Sequence, residues 1–139
     1  QVPVARWGEH GYLNARGEAF LPEPVRVAGA LPALAGPDGH ERTVLEQYRA
    51  MSRALAPTGL RITGITLDER RAWRVQTGSG VELDLGRADT RRRLRRFVQS
   101  WPTVFAGRVE QLQRVDLRYS NGFSVRWQQA DANTDNSKG

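Results

Sequence analysis

Arg114-Val115-Asp116-Leu117-Arg118-Tyr119-Ser120-Asn121-Gly122-Phe123-Ser124-Val125-Arg126-Trp127 carries two alternating runs on either side of a Ser-Asn-Gly turn signal, the pattern of a β-hairpin. Two loop lengths give different pairings. A two-residue Asn121-Gly122 turn sets Leu117 against Arg126 and Asp116 against Trp127, mixing charge with core on both faces. A three-residue loop with Gly122 in the left-handed conformation sets Tyr119 against Phe123, Leu117 against Val125 and Val115 against Trp127, which makes one face wholly apolar. The other face then pairs Arg118 with Ser124 and Asp116 with Arg126, an opposite-charge pair worth about 0.2–1 kcal/mol. The second register is the expected one.

The strand-like run Phe123–Gln128 is the last in the chain, and the residues after it are small and polar. Residues 1–128 are therefore read as one domain and 129–139 as a flexible polar C-terminal tail. One long side of the final strand then has no neighbour and forms an open sheet edge. Edges are usually blunted by Pro, Lys, a bulge or cover, yet Phe123-Ser124-Val125-Arg126-Trp127 has one charge and no proline. Such an edge implies a partner strand, with backbone hydrogen bonds supplying affinity and flanking side chains such as Arg118 and Tyr119 supplying choice.

Outward from the hairpin, Val44, Leu45, Tyr48, Met51, Ser52 and Leu55 recur at helical spacing and predict a helix over 41–56, stopped by Pro57 and Gly59. A second helix is expected over 89–105, capped by Asp89 or Thr90, with Leu94, Phe97, Val98, Trp101 and Phe105 on one stripe and a break near Pro102. Leu60–Asp68, Ala72–Thr77 and Val81–Leu85 read as a meander, with Gly78-Ser79-Gly80 as a hairpin loop. In Val81-Glu82-Leu83-Asp84-Leu85 the apolar and acidic residues alternate, which predicts one buried and one wet face. The first 40 residues, broken by Pro3, Pro22, Pro24, Pro32 and Pro37, hold short extended pieces at Val2–Trp7, Gly11–Asn14 and Glu18–Leu21. Trp7, Phe20, Trp73, Phe97 and Trp101 are read as core or boundary residues. The fold class is α+β, an antiparallel sheet packed against two main helices.

The net charge is +6, and every basic residue except Lys138 is Arg. Arg makes forked contacts to carboxylate or phosphate, so acidic partners are favoured. Without Cys there is no thiolate nucleophile, disulfide or zinc knuckle, and His10 and His40 lie in Gly-rich turns. No HExxH, GxSxG or P-loop pattern is present, so neither a metal site, a cofactor nor catalysis is expected. No run approaches the roughly 20 apolar residues of a membrane-crossing helix. The Arg91-Arg92-Arg93 and Arg95-Arg96 cluster keeps one alternative open, a basic module binding nucleic acid or anionic lipid. A solvated helix face is the plainer reading of the same residues.

The hairpin stretch resembles the C-terminal signature of the FtsQ family of bacterial cell-division proteins. Val2-Pro3-Val4-Ala5-Arg6-Trp7, Gly36-Pro37-Asp38-Gly39, Arg70-Arg71-Ala72-Trp73 and Leu85-Gly86-Arg87-Ala88-Asp89-Thr90 are similar to segments of its β domain, in the same order. The likeness spans residues 1 to about 128. It implies a non-enzymatic divisome scaffold: a periplasmic piece of a single-pass inner-membrane protein, without its membrane helix and POTRA domain, acting at the division septum. It also implies direct binding of FtsB, and through it FtsL, by strand addition to the last strand. Carried over by position, Arg70, Arg118, Tyr119 and Trp127 would touch the partner, and the loop and edge strand add Asn121, Phe123, Ser124, Val125 and Arg126. Nucleic acid is not an expected partner on this reading.

Overall fold

The computed structural model describes residues 2–21 and 30–128; the expected tail from 129 onward lies outside the described residues. Nine strands form one sheet: β1 Ala5–Trp7, β2 Gly11–Leu13, β3 Ala19–Phe20, β4 Ala33–Ala35, β5 Ile62–Leu67, β6 Trp73–Thr77, β7 Glu82–Gly86, β8 Leu112–Asp116 and β9 Ser124–Trp127. Their spatial order is β3-β2-β1-β4-β5-β6-β7-β8-β9. Two helices, α1 at Glu41–Leu55 and α2 at Thr90–Ser100, pack against each other and against the sheet. The α+β class holds, and the chain-terminal strand among the described residues is an edge.

The sheet is mixed, not antiparallel throughout. β5-β6-β7 is the expected antiparallel meander, but β1 runs parallel to β4, β4 to β5, and β7 to β8. The cause lies in the connections. A two-residue turn must reverse the chain, whereas a helical crossover returns it in the same direction. α1 is the crossover from β4 to β5, and α2 the crossover from β7 to β8. β4 is only three residues between Pro32 and Gly36, too short for alternation to reveal it. Its fully buried Leu34 nevertheless joins the N-terminal strands to the rest of the sheet.

α1 buries Val44, Leu45, Met51 and Leu55 and ends in a 3-10 turn over Ala56–Thr58, closed by Gly59 at φ 77°. In α2, Asp89 occupies the N-cap position but does not cap; its carboxylate accepts a bond from Arg92 at 3.0 Å. Pro102 breaks the helix as expected, and the break has a defined form. Residues Trp101–Phe105 make a π turn, closed by the Ala106 amide donating to the Trp101 carbonyl at 2.9 Å. The turn delivers Phe105 into the core, 5.1 Å from Phe97, 5.6 Å from Phe123 and 6.2 Å from Trp127, ring to ring. Trp73 and Phe97 are buried, while Trp7, Phe20 and Trp101 sit at the boundary.

Phe105 is the only fully buried ring that touches both helix α2 and the segment carrying β9 among the described residues. Phe105→Ala is expected to lower stability by about 3–5 kcal/mol in denaturant unfolding followed by tryptophan fluorescence.

Candidate functional site

The candidate site is built on β9, which has β8 on one side and no strand on the other among the described residues. The register differs from the expected one: Val115 faces Val125, Asp116 faces Ser124 and Arg114 faces Arg126, with an irregularity that sets Leu112 opposite Trp127. The slip from the expected pairing is two residues, so side chains keep their faces. Two anchors enforce it. The Leu117 amide donates to the Asp84 carbonyl at 2.8 Å and Leu117 is fully buried, which holds it to β7 and away from Val125. Phe123 packs on Phe105. Residues 117–123 thus form a wide loop, and Gly122 does not adopt a positive φ.

That loop is held by a residue read from sequence only as part of a basic cluster. Arg96 of α2 donates to three loop carbonyls, those of Tyr119 at 3.2 Å, Ser120 at 3.0 Å and Gly122 at 3.3 Å. Arg93 donates to the Leu85 carbonyl at 2.8 Å. The two stand at i and i+3 on the margin of the Leu94–Phe97 stripe, and that placement was the available signal. Arg91, Arg92 and Arg95 remain exposed on the outer face.

Backbone groups alternate sides along a strand. Since Leu117 points its amide at β7, Val115 does too, and Arg114 and Asp116 point theirs at β9. Their partners Arg126 and Ser124 therefore face β8, and the Val125 and Trp127 peptide groups face outward. The Gln128 amide, donating to the Gln111 carbonyl, obeys the same alternation.

The polar face of the hairpin is an ion network. Asp84, expected to be wet, is 3% exposed because Arg114 covers it at 2.9 Å and Arg118 approaches at 3.7 Å. Asp116 pairs with Arg118, not Arg126: the guanidinium meets it at 2.7 and 2.9 Å, and the Arg118 amide donates at 3.1 Å. The Arg118 guanidinium holds the Asp116 carboxyl below its usual range, and Arg118 is itself pushed further up by that carboxylate. Gly86, at φ 73°, gives Arg93 and Arg118 room; a Cβ there would lie 2.8 Å from the Arg93 guanidinium.

Of the expected contact residues, Arg118, Ser124, Val125 and Arg126 line one groove of about 340 Å³, and Arg126 and Trp127 line a second of about 610 Å³. Arg70 lies apart on the β5–β6 turn, held by its amide to Asp68 at 2.8 Å, yet shares a depression of about 700 Å³ with Arg118. Tyr119 is 54% exposed and Asn121 is exposed on the loop. Phe123 is turned inward onto Phe105, an anchor for the edge. Trp127 is half-buried, with the Arg108 guanidinium 4.0 Å from its ring centre. Among the described residues no acid–histidine cluster could hold a metal, and no helix is long and apolar enough to cross a membrane.

Comparison with known proteins matches residues 5–118 to the C-terminal domain of the cell division protein FtsQ/DivIB. The chain is similar to the cell division protein FtsQ of Shewanella oneidensis, 37% identical over 134 residues covering 96% of this chain and 50% of that protein. It is 35% identical to FtsQ of Escherichia coli over 130 residues, 91% of this chain and 47% of that protein. With FtsQ of Methylomonas methanica the identity is 32% over 127 residues, 91% of this chain and 51% of that protein. The chain spans about half the length of these curated relatives.

Two measurements check the geometry. Arg96→Gln should free the loop, lowering backbone order parameters of residues 119–122 and stability by about 1–2 kcal/mol, with Arg96→Lys intermediate because an ammonium lacks the guanidinium fork. For Asp116, the folded value lies below the unfolded value of about 3.9. Its contribution is complete above that value and lost as pH falls through the folded one, so the stability gap between wild type and Asp116→Asn should close below about pH 4.

Proposed function

The chain belongs to the FtsQ/DivIB family of cell-division proteins, and on that premise we propose that it is a non-enzymatic scaffold that recruits FtsB, and FtsL with it, by accepting an FtsB segment as a further strand beside β9. In this reading the work is done on the periplasmic side of the inner membrane at the septum, with the full-length protein anchored by a single span. The observation that carries the reading is the pair of outward peptide groups at Val125 and Trp127. Each offers one amide and one carbonyl to an incoming chain.

Magnitudes show that the backbone is not enough. Four hydrogen bonds at about 1 kcal/mol net supply roughly 4 kcal/mol, against about 4–15 kcal/mol lost on association. Side chains must add the remainder. Tyr119 offers an exposed ring beside the edge, Trp127 a half-buried one at its far end, and Arg118 and Arg70 a shared basic depression for partner carboxylates. Aromatic and Arg residues of this kind dominate interface energetics. Asn121 stands beside Tyr119 on the loop as a rim contact.

Titration with a periplasmic FtsB segment tests the reading, with duplex DNA as the competing ligand. Tyr119→Ala should weaken FtsB binding roughly tenfold or more. Val125→Pro removes an outward amide and should abolish binding while the domain stays folded; Ser124→Pro removes an inward one and should loosen the hairpin itself. FtsB binding should survive moderate salt, whereas phosphate binding would fall steeply. Salt-sensitive DNA binding without FtsB binding sinks the proposal and favours the basic-module alternative.

A further inference from the structure

Arg114 and Arg126 stand directly opposite each other on the polar face of β8 and β9. Like charges in that position are destabilising. They are not equivalent, however. Arg114 is neutralised by Asp84 at 2.9 Å and approached by Glu82 at 3.9 Å. The Arg126 side chain is exposed, makes no hydrogen bond or ion pair among the described residues, and lies where the two edge grooves meet. The acids nearest to it, Asp84, Asp116 and Glu82, are already engaged by Arg114 and Arg118. A cation placed against another cation, with the neighbouring carboxylates among the described residues taken, is complementary to an anion from outside.

The strand geometry says where that anion must sit. Arg126 turns its backbone toward β8, so a newcomer bonded to Val125 and Trp127 places the residue beside Arg126 in a site without direct backbone bonds. In antiparallel pairing this is the narrow site, with Cα atoms about 4.5 Å apart and side chains closest. The newcomer's residues on either side of that position fall on the opposite face, next to half-buried Val125 and Trp127 and the Phe105 ring beneath them. We propose that Arg126 is a specificity-determining residue of the edge, selecting an extended segment that carries an Asp or Glu beside it, flanked on both sides by apolar residues. The inference rests on the strand-addition reading and adds to it the chemistry of the segment.

Three nine-residue peptides test it: Thr-Val-Thr-Val-X-Val-Thr-Val-Thr with Glu, Gln or Lys at X, titrated at low salt and followed by the amide shifts of Val125 and Trp127. Wild type should bind the Glu peptide about two- to fivefold more tightly than the Gln peptide, with the Lys peptide weakest. Arg126→Gln should erase that order, and Arg126→Glu should reverse it. Raising salt should compress it. Because removing one of two facing cations relieves repulsion, the melting temperature of Arg126→Gln should equal or exceed that of wild type.

Persistence of the Glu preference in Arg126→Gln overturns the proposal, as does a clear loss of stability in that variant, which would give Arg126 an internal role. The FtsB segment, titrated in parallel, separates the two levels. If wild type binds neither it nor any peptide, the strand-addition reading falls and the inference with it. If it binds the segment and Arg126→Glu binds it equally well, the inference alone falls.

Discussion

The 2.8 Å bond from the Leu117 amide to the Asp84 carbonyl decides which way the peptide groups of the last two strands face. It fixes β8 to β7 in parallel, and alternation along β8 then directs Arg114 and Asp116 at β9. From there the consequence passes one strand further: Ser124 and Arg126 are consumed internally, and Val125 and Trp127 are left outward. A shift by one residue at Leu117 would exchange these sets and turn the apolar side chains onto the polar face. The complete burial of Leu117 opposes that shift, since moving it would bring Asp116 or Arg118 into the core. Packing on one side of the sheet thus determines which hydrogen-bonding groups are presented at its edge.

The bias toward Arg over Lys follows from what the guanidiniums do here. Arg96 reaches three carbonyls at once, Arg118 meets both oxygens of Asp116, and Arg108 sits over the Trp127 ring. An ammonium is a point charge with no planar fork, and none of these tasks suits it. The cations therefore serve partly as a skeleton for a loop with little regular structure of its own. Arg96 ties that skeleton to α2, Arg93 ties α2 to the Leu85 carbonyl of β7, and the π turn after α2 adds Phe105 from below. Helix, π turn and edge strand form one mechanical unit, although they are separated in sequence.

Much of this was legible in the residues. Helical spacing from Val44 to Leu55 located α1, alternation located the meander, and the place of Phe123–Gln128 as the last strand-like run pointed to an edge, which the lack of proline or lysine leaves undefended. What was hidden depended on neighbours far away in the chain. The hairpin register was read from facing side chains alone, but it is set by Asp84 and Phe105, thirty-three and eighteen residues from Leu117 and Phe123. Alternation marked Asp84 as exposed, since no local pattern reveals that Arg114 will cover it. β4 was invisible because three residues carry no period, and without β4 the parallel crossover through α1 could not be inferred. Gly122 suggested a tight turn through its conformational freedom, yet three bonds from Arg96 hold a wider loop that does not call on it.

An open edge carries the hazard that another copy of the same strand will dock on it. Among the described residues β9 has no proline and no bulge of its own, and the protection these residues provide is charge. Two copies pairing β9 to β9 in antiparallel fashion would be related by a two-fold axis perpendicular to the sheet. Their polar faces would coincide and both Arg126 side chains would share one side, each already backed by Arg114. Self-pairing would then gather four guanidiniums over carboxylates that can neutralise only the inner pair. An acidic strand meets none of this repulsion. Specificity is a difference between affinities, and one exposed arginine widens it from both ends, by disfavouring the identical strand and by favouring a carboxylate-bearing one.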